Sequence, residues 1–276
     1  MSKDLPADQQ PNIVEDELDD SRAPLLDHLK ELRSRLIRAM LALAAATLIC
    51  YFFAQPLYNL LLRPLLEEAQ IGREMTDFEL IYTAPLEVFF VQLKLAMFAG
   101  VFVSFPIVAA QLYAFIAPGL YKNEKHAFLP FLIAAPVLFV IGAAFVYFAM
   151  LPLISRFALG FEQLGGTGVA AIVPQIKVSE YLSLVMALMI AFGLSFQLPV
   201  VLGLLGKAGL VGADTLRKGR KYALVGILAA SAAFTPPDII SQIMLTVPVY
   251  GLYEVSIWIV MLMEKKIAEE DATAAS

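Results

Sequence analysis

Apolar positions along the chain gather into six long blocks, at approximately 36–54, 88–110, 128–151, 181–205, 222–234 and 239–263, separated by polar connections. Most blocks approach the twenty or so residues that an α-helix needs to cross about 30 Å of hydrocarbon. Strands fit poorly, because the runs are long, lack strict alternation and are rich in Leu and Ala. Inside a bilayer each backbone N–H and C=O must also be satisfied internally, which a helix achieves alone. The pattern predicts an all-α integral membrane protein with six transmembrane helices, its membrane domain covering residues 23–263.

The blocks are not alike. Block five is thirteen residues long and reaches about 20 Å at 1.5 Å per residue, so it either thins the bilayer or shelters behind its neighbours. Alternatively, its helix continues outward through Arg220 and Lys221, whose charged heads snorkel to the interface. Only Thr235, Pro236, Pro237 and Asp238 separate it from block six, which predicts a tight helical hairpin. The expectation is a short fifth and a short sixth helix beside a concave face. The connections at 55–87 and 152–180 hold enough apolar residues, Leu57, Leu61 and Leu65 in one and Ile154, Phe157 and Phe161 in the other, for a short helix along the membrane surface.

Charge adds an orientation. Of the 20 Lys and Arg, fifteen fall in the N-terminal lead-in, the connections after blocks two and four, and the C-terminal tail. The opposite connections hold only Arg63, Arg73, Arg156 and Lys177, and Lys94 lies inside block two. Cytoplasmic connections carry the basic excess, so both termini are expected in the cytoplasm. Composition agrees with a membrane location: 59% of residues are hydrophobic and 16% charged, against roughly a quarter charged in soluble domains. The net charge of −5 comes largely from seven acids in the first twenty residues, which lack apolar periodicity. Residues 1–22 therefore read as a disordered acidic tail and 264–276 as a second cytoplasmic tail. No cleavable signal peptide is expected, because the first apolar block follows a long polar lead-in. The single cysteine, Cys50, excludes a disulfide framework and a thiolate metal site.

Enzymatic motifs are absent: there is no GxxxxGK(S/T), HExxH, GxGxxG or GxSxG, and neither His28 nor His126 has a second ligand at metal spacing. Candidate chemistry lies instead in acids near the cytoplasmic boundary. Glu31 sits in an amphipathic approach to block one, with Leu29, Leu32 and Leu36 at helical spacing. Its simplest role is an i,i+4 pair with Arg35. Glu124 lies in the connection after block two, where the simplest reading is a solvated acid. Within the blocks, Lys94, Gln197 and Glu254 stand out, since polar groups at membrane depth are costly and are commonly paired or functional. Lys94 can snorkel outward, and Glu254 approaches the cytoplasmic surface if block six is short. Gln197 lies beside Pro199, where a kink frees backbone groups that an amide can satisfy; a helix-to-helix hydrogen bond there is worth about 1 kcal/mol.

Four stretches in order, His28–Leu36 (HLKELRSRL), Tyr113–Glu124 (YAFIAPGLYKNE), Ala191–Pro199 (AFGLSFQLP) and Phe234–Asp238 (FTPPD), resemble the TatC family, the multi-spanning receptor of the twin-arginine protein translocase. The resemblance implies a non-enzymatic receptor and core subunit in the bacterial cytoplasmic (inner) membrane, binding twin-arginine signal peptides of folded precursor proteins. It also implies TatA-like and TatB-like single-span partners, the lipid bilayer as solvent, self-association within the receptor complex, export driven by the proton gradient, no cofactor and no nucleic acid. By resemblance, Glu31 and Glu124 are the acids that meet the paired arginines, with Leu29, Arg33, Phe115, Pro118, Leu120 and Tyr121 shaping the same site. Pro64 and Asp238 match outer-face positions tied to function or stability. Where the family often has Glu, this chain has Gln197, so a titrating carboxylate does not carry over; a hydrogen-bonding role with Thr235 and Gln242 in partner docking remains open. The rival class is a small-solute transporter, which would want internal symmetry and broken helices meeting at mid-membrane. An intramembrane enzyme ranks third, for want of a nucleophile and base.

Overall fold

The computed structural model describes residues 13–71, 79–120, 129–163, 170, 172, 174–234 and 239–274. Tyr121, Glu124, Thr235 and Asp238 lie outside the described residues. Along the chain run α1 (Ile13–Tyr51), α2 (Ala54–Ala69), α3 (Glu87–Leu120), α4 (Leu129–Phe145), α5 (Leu151–Leu159), α6 (Val178–Ser195), α7 (Leu198–Lys207), α8 (Ala213–Phe234) and α9 (Ile239–Ala274). A π-helical segment, Val146–Met150, joins α4 to α5 without a break. Extended pairing among the described residues is limited to isolated bridges, Ile81 with Lys177 and Gln163 with Ile172. The architecture is all-helical, as the hydrophobic pattern predicts.

Among the described residues, five segments are long and apolar enough to cross a membrane: His28–Tyr51, Glu87–Phe115, Pro130–Leu159, Val178–Lys207 and Gln242–Lys266. α8 is not among them. It begins at Ala213, and its first turns carry Asp214, Arg217, Lys218, Arg220 and Lys221. Of the two readings of block five, the helix does continue through Arg220 and Lys221, although its apolar part stays short.

Block six departs from expectation. α9 is 36 residues long, so the sixth helix is not short. Beyond Met263 come Glu264, Lys265, Lys266, Ala268, Glu269 and Glu270, all good helix formers, and no breaker separates membrane domain from tail at residue 264. At the other end, residues 13–22, expected to be disordered, belong to α1. Extending an existing helix needs no new nucleus.

The helices define two ends. At one, here the cap, α2 and α5 close over the bundle. α2 is amphipathic and buries Leu61 and Leu65 in the same core cluster as Leu182 and Val185 of α6, all essentially fully buried. Arg156 on α5 is ion-paired with Glu68 on α2 (2.6 Å). Glu87, at the start of α3, accepts hydrogen bonds from the Thr83 and Ala84 amides (2.8 and 3.2 Å) and lies 3.8 Å from Lys177. At the other end, the rim, lie the early turns of α1, the last turns of α3, the start of α8 and the far end of α9.

Close helix approaches fix the bundle. A Cβ on Gly142 of α4 would meet the Phe192 carbonyl oxygen of α6 at 2.8 Å, so only glycine allows these backbones to touch. Likewise, a Cβ on Gly100 of α3 would fall 2.9 Å from the Thr47 backbone of α1. α1 packs along α3 and otherwise turns Leu36, Ile37, Leu41, Leu48 and Ile49 outward, which in a membrane is toward lipid.

Candidate functional site

The rim is built where α1 and α3 run antiparallel. His28 of α1 stacks on Phe115 of α3, with ring centroids 4.2 Å apart and planes 21° from parallel. Two stretches more than eighty residues apart in sequence are thereby joined at one place. One turn beyond His28, Glu31 accepts two hydrogen bonds from Arg35, from Nε at 2.9 Å and Nη2 at 2.6 Å, both on Oε1. Its Oε2 accepts none among the described residues. The Glu31 side chain is 37% exposed, so the ion pair faces outward and is worth only a few tenths of a kcal/mol. Its second oxygen remains available to another donor. Leu29 and Arg33 are exposed in the same turns but project from another face, since residues two apart on a helix do not face each other. Pro118 and Leu120 belong to the last turn of α3, and Glu124 follows Leu120 by four residues of chain.

The middle of the bundle holds a second constellation, at the break between α6 and α7. Pro199 has no N–H, and the Gln197 amide nitrogen bonds the Leu194 carbonyl (3.0 Å) instead of continuing the α-helical ladder. The Gln197 side chain repairs part of this. Its Nε2 donates to Ala135 O of α4 at 2.9 Å and lies 3.5 Å from Gly193 O, while Oε1 is buried without a partner. Gln242, expected nearby, donates instead to Leu228 O of α8 (3.0 Å). The two amides thus serve different helices, one tying α6–α7 to α4 and the other tying α9 to α8.

Between that break and the α8–α9 hairpin lies an apolar cavity of about 490 Å³, lined by Phe192, Leu198, Ala230, Leu245, Val249 and Tyr253. The small residues Ala223, Gly226 and Ala230 share one face of α8 and leave it shallow. This is the concave face expected beside the hairpin. Polar contacts stitch the hairpin along its length. Thr246 donates to Ser231 Oγ (3.2 Å), Arg220 pairs with Glu254 (2.7 Å), Tyr253 donates to Leu216 O (2.8 Å), and Glu264 accepts the Ala213 amide (2.9 Å). Glu254, which stood out for its depth, is thus a structural partner of Arg220.

In the cap, Pro64 lies inside α2 and is buried. Having no N–H, it leaves the Leu60 carbonyl without its helical donor, and the Tyr147 hydroxyl fills that place at 3.0 Å. Tyr147 belongs to the π segment, whose wider turn re-aims side chains toward α2. Sequence reasoning missed this pairing. The proline flags an orphan carbonyl four residues earlier, but nothing local marks Tyr147 as its donor.

A family model described as Sec-independent protein translocase protein (TatC) matches residues 27–248. The chain is 42% identical over 253 residues to the Sec-independent protein translocase protein TatC of Magnetococcus marinus, covering 92% of this chain and 89% of that protein. Its Escherichia coli K12 counterpart is 38% identical over 235 residues, covering 85% and 87% respectively. The fold also matches a crystal structure of the twin arginine translocase receptor TatC, with a TM-score of 0.74 and 36% identity over 86% of this chain and 99% of that one.

Proposed function

This chain belongs to the TatC family of Sec-independent protein translocase proteins, a family of membrane-embedded transport components and not of enzymes, and from that premise we propose that it is the receptor of a twin-arginine translocase. Its rim binds the paired arginines of signal peptides on folded precursors, and its hairpin face nucleates assembly with TatA-like and TatB-like single-span subunits. It sits in the bacterial cytoplasmic membrane with six crossings and both termini inside, and the proton gradient drives export.

The observation that carries this reading is the His28–Phe115 stack, which joins the stretch bearing Glu31 to the helix that leads to Glu124. A guanidinium presents a planar fork of donors that a carboxylate accepts in parallel, whereas an ammonium is a point charge. With Arg35 confined to Oε1, a ligand arginine can reach Oε2 without first breaking the existing pair. Phe115 and Tyr121 add flat faces over which a guanidinium stacks, and Pro118 and Leu120 set where the chain leaves α3. Leu29 offers an apolar edge and Arg33 a charge that repels misplaced cations. The cavity beside the hairpin gives an apolar face for single-span helices, with Gln242, and Thr235 and Asp238 of the connection, as candidate polar contacts. Pro64 acts through the cap, by the carbonyl that Tyr147 then holds.

The test is photo-crosslinking from positions beside Glu31 and Glu124 to a precursor carrying two arginines or two lysines. Crosslinking of the arginine form should exceed the lysine form about tenfold, the size of a lost charge-assisted hydrogen bond. Equal crosslinking would sink the mechanism, as would wild-type export in the Glu31→Ala, Glu124→Ala double variant.

A further inference from the structure

Lys94 is left unused by the receptor reading. It lies on α3 seven residues inward of Glu87, about 10 Å from the cap-side start of the helix, with its side chain exposed. No carboxylate among the described residues pairs with it, since the nearby Glu87 is taken by Lys177. A cation at that depth is costly unless an anion meets it.

Beside Lys94 opens a cleft of about 370 Å³ between α1, α3 and α6. Its lining is graded. Two polar members, Lys94 and Ser183, lie within about 10 Å of the cap-side ends of α3 and α6, whereas Thr47 packs against Gly100, about 20 Å along α3 from Glu87. Val101 and Ile190 line the deeper part with it, about 18 to 21 Å from those ends. A charge and a hydroxyl above, with mostly hydrocarbon below, is the polarity profile of an amphiphile standing upright in one leaflet.

We propose that this cleft binds an anionic phospholipid of the cap-side leaflet, its phosphate on Lys94 and the Ser183 hydroxyl, and one acyl chain against Val101, Met186 and Ile190. Simple snorkelling explains the lysine but not the apolar cleft continuing beneath it. The bound lipid wedges α1 against α6, across a seam where α1 otherwise leans chiefly on α3.

Delipidated full-length chain in detergent is titrated with phosphatidylglycerol or with phosphatidylethanolamine of the same acyl chains, and bound lipid is counted by native mass spectrometry. The wild-type chain should prefer phosphatidylglycerol, and Lys94→Gln should weaken that binding about fivefold, the effect of one basic residue on an anionic headgroup. Lys94→Arg should preserve it. Val101→Trp, which fills the apolar end and keeps the charge, should also displace the lipid. Equal binding of the two lipids by the wild type overturns the proposal even if Lys94→Gln cannot be purified. So does unchanged phosphatidylglycerol binding in Lys94→Gln; if that variant instead loses a single-span partner on co-purification, the occupant is a membrane helix.

Discussion

Pro64 strands a carbonyl in this bundle, and a distant side chain answers for it. Pro64 frees Leu60 O, which the Tyr147 hydroxyl then holds. The assignment makes a cyclic prediction. Tyr147→Phe in the wild-type background should cost about 0.5–1 kcal/mol, because Leu60 O loses its donor at a partly exposed site. In a Pro64→Ala background, the new amide at position 64 restores the ladder, and the same change should cost close to nothing. Reversible unfolding of the four proteins in detergent gives the coupling, and additive effects would refute the link. At the α6–α7 break the Gln197 amide reaches across to a carbonyl of another helix, Ala135 O of α4. Gln197→Leu removes the donor to Ala135 O and should destabilise by about 0.6–1 kcal/mol, read in the same unfolding assay. At this scale the sequence was informative only in part. Gln197 beside Pro199 announced an amide with backbone work to do, and it does that work. Its acceptor on α4, sixty residues away, depends on tertiary packing that no local pattern encodes. Gln242 reads as its partner in sequence because both are polar groups in neighbouring apolar blocks, yet bonding to Leu228 of the adjacent helix needs no long-range reach.

The α8–α9 hairpin is legible as an element because four connecting residues leave the chain no other course. Its lengths were not. Hydropathy sees the apolar part of a helix and stops at charge, so it starts α8 at Tyr222 although the backbone starts at Ala213. The same blindness shortened α9 at its charged end, where Glu264 turns back to accept the Ala213 amide and extends the pairing past the membrane. The π segment had no sequence signal either, since its one extra residue per turn alters no hydrophobic period over five residues. What survives is an apolar stretch in α8 too short to span by itself, flanked by the cavity. Adding about five Leu to that stretch lengthens it by roughly 7.5 Å and rotates the residues beyond it by more than a third of a turn. Ser231 would swing away from Thr246, and the shallow face from the cavity. Co-purification with single-span partners should fall several-fold while the chain still inserts. Undiminished assembly would make the shortness incidental.

Taken whole, the molecule has a cap end and a rim end, and the basic residues sort between them as the orientation argument requires. Arg63, Arg156 and Lys177 stand at the cap, whereas Lys30, Arg33, Arg35, Arg217 and Lys265 stand at the rim. The number of crossings decides what this means. If only the five segments that qualify by length and composition cross, the ends of the chain lie on opposite sides of the membrane. If α8 crosses as well, with Arg217, Lys218, Arg220 and Lys221 held in the interface, the count is even and both ends share one side. An odd and an even count are separable with three cysteines. In a Cys50→Ala background, which removes a buried thiol, single cysteines replace the exposed residues Ser34, Gln70 and Lys265. A membrane-impermeant maleimide added to intact cells should label position 70 alone. Added to inverted vesicles, it should label 34 and 265 and spare 70. Labelling of 34 and 265 from opposite faces would mean that α8 stays at the surface. Glu31 would then still face inward with α1, but the hairpin could not offer its cavity across the bilayer, and the docking role assigned to it would have to be abandoned.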